Sequence, residues 1–258
     1  MIDITRVKNE FDKYASAYDP HQPRISLKIN HIKRVAENSK IIAESLNFPE
    51  EDVLLAEAIG YFHDIGRFEQ VRISDTFSDR DSGINHAEKS VSVLFDDGKI
   101  RDFIPDDKYD NIIKMAVLNH NRAQIQDGLT EKELLFAKII RDADKLDIFY
   151  TLTIESFPAI FWYKDFDDEK ISDIVMDEFK HQKLLEYKNI HNNADQIVVF
   201  YAYIYDFNFD NSLKIVRDKK YLDLFTERVF EYFTSPTIHL QMNEVIRIYR
   251  KYLNLPDL

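Results

Sequence analysis

The amino-acid sequence predicts an all-α protein, on two observations: chain-breaking residues are few, and apolar residues recur at helical spacing. Only five glycines and seven prolines occur among 258 residues, which is few for a chain with many tight turns. Apolar residues return every three or four positions along nearly the whole chain. No glycine-rich nucleotide loop interrupts them. These features favour long helices over a β-sandwich or a phosphate-loop fold.

The spacing predicts a succession of helices in the first part of the chain. Pro20 and Pro23 separate the first helix from the second, and the acidic residues after Pro49 suit the start of the third. Gly66 is placed to end the third helix, and Asn85 is placed to cap the fourth. The predicted helical ranges are 4–14, 30–46, 50–62, 85–95, 110–120 and 131–149.

Between the third and fourth predicted helices, residues 69–84 are polar and aperiodic, and they predict a long loop. Loops of this length are uncommon in compact domains and are often functional. We therefore expect a lid or a wall that selects the substrate; a solvated connection is the alternative.

The amino-acid composition of the chain changes after about residue 160. A charged connector at 165–170 is followed by helical patterns dense in tyrosine and phenylalanine. We therefore predict two parts: residues 1–160 form a helical domain, and residues 161–258 form a helical extension that packs on it or completes it. The aromatic extension could fill a core, line a substrate pocket or form a homodimer face.

Composition and charge argue against several classes of protein. The net charge of −12 disfavours a broad nucleic-acid surface, because an acidic surface repels a polyphosphate backbone. No apolar stretch approaches the roughly 18 residues that span a bilayer, and the N-terminus has no signal-peptide pattern. We therefore expect a cytoplasmic protein with no membrane partner. Cysteine is absent, so disulfides, a thiolate nucleophile and a cysteine-ligated zinc site are excluded.

Four of the eight histidines lie on separate predicted helices, each on or beside an apolar face. They are His31, His63, His86 and His120. A single inward histidine is more often a satisfied core residue than a metal ligand. Burying several imidazoles without partners costs free energy, however, and a metal ion satisfies them together. The histidines at positions 21, 181, 191 and 239 match no such pattern.

Aspartates extend this set of histidines. Asp64 follows His63 and lies about 100° further around the helix, so the two could approach one ion from different directions or bridge two ions. Asp144 follows apolar residues at helical spacing and therefore points inward. Asp147 lies on the same face and could orient a ligand histidine or form a surface ion pair. Imidazole and carboxylate together suit Fe, Mn, Zn, Co or Ni rather than Ca.

Two local strings, with His31 ahead of them, resemble the motifs of the HD superfamily of metal-dependent phosphohydrolases. The strings are YFHDIGR at 61–67, which holds the His-Asp pair, and IIRDADKLD at 139–147. The resemblance covers roughly residues 20–160. It implies an HD-domain helical bundle, with the remaining residues as a C-terminal helical extension.

The resemblance also implies a set of metal ligands. His86 in NHAEKS and His120 in LNHNR match the extra ligands of the binuclear HD proteins. In that subgroup Asp64 would bridge two divalent transition-metal ions, and His86 and His120 would complete one of them. The ligands that would complete the other ion are His31, His63 and Asp144. The alternative is a single ion, with His86 and His120 contacting phosphate.

The chemistry that the resemblance implies is metal-assisted hydrolysis of a phosphate ester, in a nucleotide or a related small molecule. The metal would lower the pKa of a bound water and offset charge on the phosphoryl oxygens. Lys145 resembles a phosphate-contacting lysine of HD nucleotidases, and Arg67 and Arg122 are further candidates to bind phosphate. We take Asp64, Lys145 and Arg67 as the catalytic candidates. For each basic residue the alternative is a solvated charge or a structural ion pair.

Other interpretations of these residues stay open. HD-fold di-iron oxygenases use the same ligand order. A non-catalytic ligand sensor is a third hypothesis, which the complete ligand set argues against. The GYP extension of cyclic-di-GMP phosphodiesterases is missing, and Gly66-Arg67-Phe68 stands near the place where stringent-response hydrolases have a Glu-Asp pair. Each departure argues against the substrate of that enzyme class, so the sequence leaves the choice of substrate open.

Overall fold

The computed structural model describes residues 1–160 and 170–256, and the chain divides into two compact units, Met1–Asp147 and Ile148–Leu258. The all-α prediction is confirmed, since the described residues form helices and no strand. The division falls inside a long helix, ahead of the predicted boundary at residue 160. Most of the connector predicted at 165–170 lies outside the described residues. Packing of the extension on the first domain stays a prediction.

Helices α1 to α9 build the first unit, and the last of them continues into the second. In chain order they are α1 Ile4–Ala15, α2 Pro23–Ser45, α3 Glu50–Phe62, α4 Gly66–Ser74, α5 Asp79–Ser82, α6 His86–Val91, α7 Ile100–Phe103, α8 Asp110–Asn119 and α9 Glu131–Ile154. A π-helical turn, Ser92–Asp96, follows α6. Helix α2 starts earlier than predicted because Pro23 occupies its first turn, where the missing N–H costs no hydrogen bond. In these ranges no helix has both the length and the apolar character needed to cross a bilayer.

The start of α6 is fixed by the predicted cap. The Asn85 side chain accepts hydrogen bonds from the backbone N–H groups of Ala87 and Glu88, at 3.0 and 3.2 Å. These are donors that the helix itself leaves unpaired. The cap therefore determines where the next residue, His86, enters the helix.

The sequence predicted that Gly66 ends the third helix, and this prediction is wrong. Helix α3 ends at Phe62, and Gly66 is instead the first residue of α4. A Cβ atom at this position would lie 2.4 Å from the backbone nitrogen of Ser90 in α6. Glycine is therefore required here by the close approach of α4 to α6 rather than by a helix end.

The segment 69–84 is also more ordered than the predicted loop. Helix α4 runs to Ser74, and the short α5 follows at Asp79–Ser82. The buried Gln70 amide donates hydrogen bonds to Asp79 Oδ1 and Ser82 Oγ, both at 2.9 Å, and to the carbonyl of Ile84. Several polar side chains of this segment therefore bond to one another, and the segment is partly helical.

Helices α2 and α3 pack closely together beside the site. A Cβ atom on Gly60 of α3 would lie 2.4 Å from the Cα atom of Ala36 in α2. Such an approach is open only to a residue without a side chain. The close packing brings the middle of α2 beside the end of α3, where His31 and His63 lie.

The second unit has an aromatic core of its own. Tyr201 packs against Phe225 and Tyr249, with ring centroids 5.1 and 5.5 Å away, and its buried hydroxyl lies 2.8 Å from Thr226 Oγ1. Of the three predicted uses of the aromatic residues, filling a core is confirmed for these. The helices of this unit are α10 Phe157–Ile160, α11 Asp173–Lys180, α12 Asn193–Ala202, α13 Asp210–Asp218, α14 Tyr221–Tyr232 and α15 Pro236–Tyr252, with 3-10 turns at Tyr187–Asn189 and Tyr203–Asp206.

Candidate metal centre

Six side chains from five places in the first unit converge on one site. The four histidines and Asp64 are buried, each at most 8% exposed. The structure therefore brings together the whole set of candidate metal ligands that the sequence singled out. They come from α2 (His31), the link between α3 and α4 (His63 and Asp64), the start of α6 (His86), the end of α8 (His120) and α9 (Asp144).

The first group of ligand atoms belongs to His31, His63 and Asp64, with Asp144 beside them. His31 Nε2 lies 3.3 Å from His63 Nε2 and 3.5 Å from Asp64 Oδ2. Asp144 Oδ1 lies 3.2 Å from His31 Nε2 and 3.9 Å from His63 Nε2. Two imidazole nitrogens and one carboxylate oxygen are therefore close enough together to hold one transition-metal ion, and Asp144 Oδ1 lies near both nitrogens.

The second group belongs to His86, His120 and, again, Asp64. His86 Nε2 lies 3.1 Å from His120 Nε2. Asp64 Oδ1 lies 3.6 Å from the first of these nitrogens and 3.5 Å from the second. Asp64 thus turns one carboxylate oxygen toward each group, which is the geometry of a bridging ligand.

In each group one histidine is oriented by a carboxylate. His31 Nδ1 lies 2.7 Å from Asp147 Oδ2, and Asp147 also accepts hydrogen bonds from the guanidinium of Arg34. His86 Nδ1 lies 2.6 Å from Asp79 Oδ2. The sequence identified Asp147 as a residue that could orient a histidine, and it missed Asp79.

The other histidine of each group is oriented by the backbone. His63 Nδ1 lies 2.7 Å from the carbonyl oxygen of Gly60, and His120 Nδ1 lies 2.7 Å from that of Val117. An acceptor at Nδ1 requires a proton there, so the neutral ring presents a lone pair at Nε2. All four rings therefore direct Nε2 into the site, as metal-ligating histidines do.

The positive charge of protonated His31 offsets part of the negative charge of the carboxylates around it. Burial, followed by the nearby Lys28, lowers the pKa of His31. Hydrogen bonds with Asp144, Asp147 and Asp64 outweigh both and raise the pKa to about 10. In the metal-free protein His31 thus carries a proton among three aspartates. A divalent ion bound there would displace that proton.

In the second group, His86 carries no such proton. Burial, and to a smaller extent Arg67, lowers the pKa of His86 to about 4, so this ring is neutral at pH 7. Within the described residues, the buried Asp64 Oδ1 accepts no hydrogen bond. Nε2 of His86, Nε2 of His120 and this oxygen are acceptors that meet without a donor. A cation is the compensation that such a cluster needs, so the donor set fits a metal ion.

Comparison with known proteins agrees with this geometry. The family model of the HD domain matches residues 29–148, a segment that contains all six ligand residues. The chain contains an HD domain. This assignment relates it to a superfamily of metal-dependent hydrolases, and the clustered histidines and aspartates that could hold a metal ion are consistent with it. Searches of curated proteins and of solved structures gave no match.

Among the predicted phosphate-binding residues, Arg67 lies beside the metal ligands of the HD domain. Its Nε lies 3.5 Å from Asp64 Oδ1, too far for a good hydrogen bond. Its Nη1 donates to Gln70 Oε1 at 2.7 Å, to Asp79 Oδ1 at 3.0 Å and to the carbonyl of Phe77. Arg67 therefore faces the Asp64 carboxylate and also anchors the segment that follows α4.

Lys145 and Arg122 lie differently with respect to the site. Lys145 is buried next to Asp144 in sequence, and its Nζ lies 3.4 Å from the carbonyl oxygen of Arg141, one turn earlier. Arg122 is exposed, and its Nε donates to the carbonyl of Leu118 at 3.2 Å. In the described part of the chain no hydrogen bond or ion pair joins Arg122 to the six ligands.

Lys28 is a site residue that sequence reasoning missed. Its Nζ lies 2.7 Å from Asp64 Oδ2, and its side chain is 14% exposed. Burial raises the pKa of the Asp64 carboxyl, but Lys28, His63 and Arg67 together hold it well below its usual range. The available signal was position: Lys28 precedes His31 by three residues, so both lie on one face of α2.

Proposed function

We propose that this protein is a cytoplasmic, metal-dependent phosphohydrolase that acts on a phosphate ester of a nucleotide or a related small molecule. The observation that carries the proposal is the pair of ligand groups that share Asp64. Two groups joined by one carboxylate support a binuclear centre rather than a single ion. The ligand types suit Fe, Mn, Zn, Co or Ni.

Basic side chains on both sides of Asp64 support a phosphorylated substrate. Lys28 Nζ lies 2.7 Å from Oδ2, and Arg67 Nε lies 3.5 Å from Oδ1. Both side chains keep a partly exposed surface, so an anion that arrives from solvent can reach them. Cations around the ligands favour a hydrolase of phosphate esters over the di-iron oxygenase, whose ligand order is the same.

In this proposal one set of residues binds the metal ions and another set binds the phosphate group. The four histidines and two aspartates hold the ions through Nε2 and carboxylate oxygens. When bound, the ions supply a water of lowered pKa and compensate charge on the phosphoryl oxygens. Lys28 and Arg67 bind and orient the phosphate group, and Lys145 and Arg122 are proposed as further contacts to the substrate. The acidic surface favours a small phosphorylated partner over an extended nucleic acid.

Hydrolysis of a substrate panel, measured by chromatographic separation of the products, tests the proposal. The protein would be loaded with Mn²⁺ or Fe²⁺ and incubated with nucleoside monophosphates, nucleoside triphosphates and cyclic dinucleotides. We expect hydrolysis of at least one class, lost in Asp64→Asn and kept in His181→Ala. His181 is exposed and lies outside the ligand groups, so its variant controls for the substitution of a histidine.

Two outcomes would contradict the proposal. One is the absence of hydrolysis across all three classes in protein that has bound its metal. The other is oxygen consumption by the iron-loaded protein without hydrolysis of any substrate in the panel, which would indicate the oxygenase.

A further inference from the structure

Asp79 connects the segment after α4 to the second group of metal ligands. Its Oδ2 lies 2.6 Å from His86 Nδ1 and 3.3 Å from the backbone nitrogen of the same residue. Its Oδ1 accepts hydrogen bonds from Arg67 at 3.0 Å and from Gln70 at 2.9 Å. Both oxygens are therefore engaged, and the carboxylate is held in place from the side opposite to His86.

This carboxylate decides which nitrogen of His86 carries the proton. An ionised carboxylate only accepts, so a contact of 2.6 Å requires the proton on Nδ1 and leaves the lone pair on Nε2. The other neighbour of Nδ1, Asn121 Nδ2, is farther away at 3.4 Å and donates instead to Asn85 Oδ1 at 3.1 Å. Asp79 is thus the dominant partner.

We infer that Asp79 is a positioning residue that fixes the tautomer and orientation of His86 and thereby creates the second metal-ion site. The inference rests on the binuclear centre of the proposed function. It also gives segment 69–84 a specific role, since part of this segment holds a metal ligand in its binding form. A carboxylate behind a ligand histidine typically strengthens metal binding by 10- to 100-fold.

The variant Asp79→Asn tests this role with little change in shape. Its amide oxygen can still accept hydrogen bonds from Arg67 and Gln70, while its NH₂ group would face His86 Nδ1 as a donor. The proton of His86 would then move to Nε2, which could donate to His120 Nε2 at the present 3.1 Å. That hydrogen bond would occupy the atoms that are needed to ligate the second ion.

The experiment measures bound metal per chain by mass spectrometry after loading with Mn²⁺ and desalting. We expect two ions in the wild-type protein, one in Asp79→Asn and two in the control Asp81→Asn. Asp81 is an exposed carboxylate of the same short helix, so this control makes the same chemical change away from His86. Two ions in Asp79→Asn, or one ion in both variants, would overturn the inference.

A second measurement begins with the wild-type protein, whose result can overturn the inference without any variant. Long-range ¹H–¹⁵N spectra of the metal-free wild-type protein should place the His86 proton on Nδ1, and those of folded Asp79→Asn should place it on Nε2. A wild-type proton on Nε2 would overturn the inference. Wild-type protein that binds two ions and hydrolyses no phosphate ester would refute the proposed hydrolase and leave the role of Asp79 intact. Wild-type protein that binds at most one ion would overturn the inference about Asp79.

Discussion

At the residue scale, the site depends most on Asp64, because its two oxygens face different pairs of histidines. Oδ2 lies 3.5 and 3.6 Å from Nε2 of His31 and His63, and Oδ1 lies at similar distances from those of His86 and His120. A histidine therefore serves one group, whereas the aspartate serves both. This difference makes the bridging role measurable.

Metal content should separate the two kinds of ligand. We expect Asp64→Asn to lose both ions, because an amide bridges two cations poorly. His120→Ala should lose only the second ion. His181→Ala, exposed and outside the site, should keep both. Mass spectrometry of desalted protein provides the count. Equal metal content in Asp64→Asn and the wild type would refute the bridge.

The metal-free protein should be most stable near pH 6.5. The pKa of His86 falls from 6.5 to about 4 on folding, so below pH 6.5 the unfolded chain binds more protons and stability decreases with falling pH. For His86 alone the loss by pH 4 is about 3 kcal/mol. The pKa of His31 rises to about 10, so its stabilising contribution is complete below pH 6.5 and is lost as the pH approaches 10.

Urea unfolding with a chelator across pH 4 to 10 would measure this profile. We expect His86→Gln to flatten the acidic side and His31→Gln to flatten the alkaline side. A profile that His31→Gln leaves unchanged above pH 7 would show that His31 is not protonated in the metal-free protein.

At the element scale, close helix contacts hold the ligands in register. Gly60 lets α3 approach α2, and Gly66 lets α4 approach α6. Both glycines belong to the stretch around the His-Asp pair, so the backbone that presents His63 and Asp64 is fixed from two sides. The carbonyl of Gly60 also accepts the hydrogen bond from His63 Nδ1.

Gly60→Ala should therefore destabilise the protein. In an ordinary helix the change from glycine to alanine stabilises by up to about 1 kcal/mol. Here the added Cβ would lie 2.4 Å from Ala36 Cα, and overpacking of this kind costs about 1–3 kcal/mol. Urea unfolding measures the sign. The control is Lys114→Ala, at an exposed position of α8, which should change stability little. A more stable Gly60→Ala would contradict the close packing of α2 and α3.

At the scale of the whole molecule, metal binding is linked to folding, because the ligands come from distant parts of the sequence. His31 and Asp144 are more than a hundred positions apart, so the unfolded chain does not hold them together. An ion that binds only the folded protein stabilises it in proportion to the logarithm of its concentration.

Removal of metal should therefore lower the melting temperature. At a free-ion concentration 100-fold above the dissociation constant, one site adds about 2.7 kcal/mol to the free energy of unfolding. We expect a chelator to lower the midpoint of thermal unfolding and Mn²⁺ to restore it. Asp64→Asn should show no such shift. A midpoint that is independent of metal in the wild-type protein would contradict a site formed by folding.

Periodicity predicted six helices of the first unit, α1, α2, α3, α6, α8 and α9, and it missed the shorter α4, α5 and α7. Segment 69–84 was predicted as a loop because its side chains are polar, but Gln70 is buried among hydrogen-bond partners of the same segment. Gly66 was predicted as a helix end because glycine often is one, but here it serves a close contact with α6. Both facts depend on partners that spacing along the chain does not reveal.

The sequence by itself determined the all-α class and drew attention to six metal-ligand candidates, because helical periodicity and the chemistry of imidazole and carboxylate are local properties. Only the tertiary structure decided that Asp64 faces two histidine pairs, that Lys28 contacts it and that Asp79 orients His86. These are distances between side chains on different helices. They follow from how α2, α4, α6 and α8 pack, which no single stretch of sequence specifies.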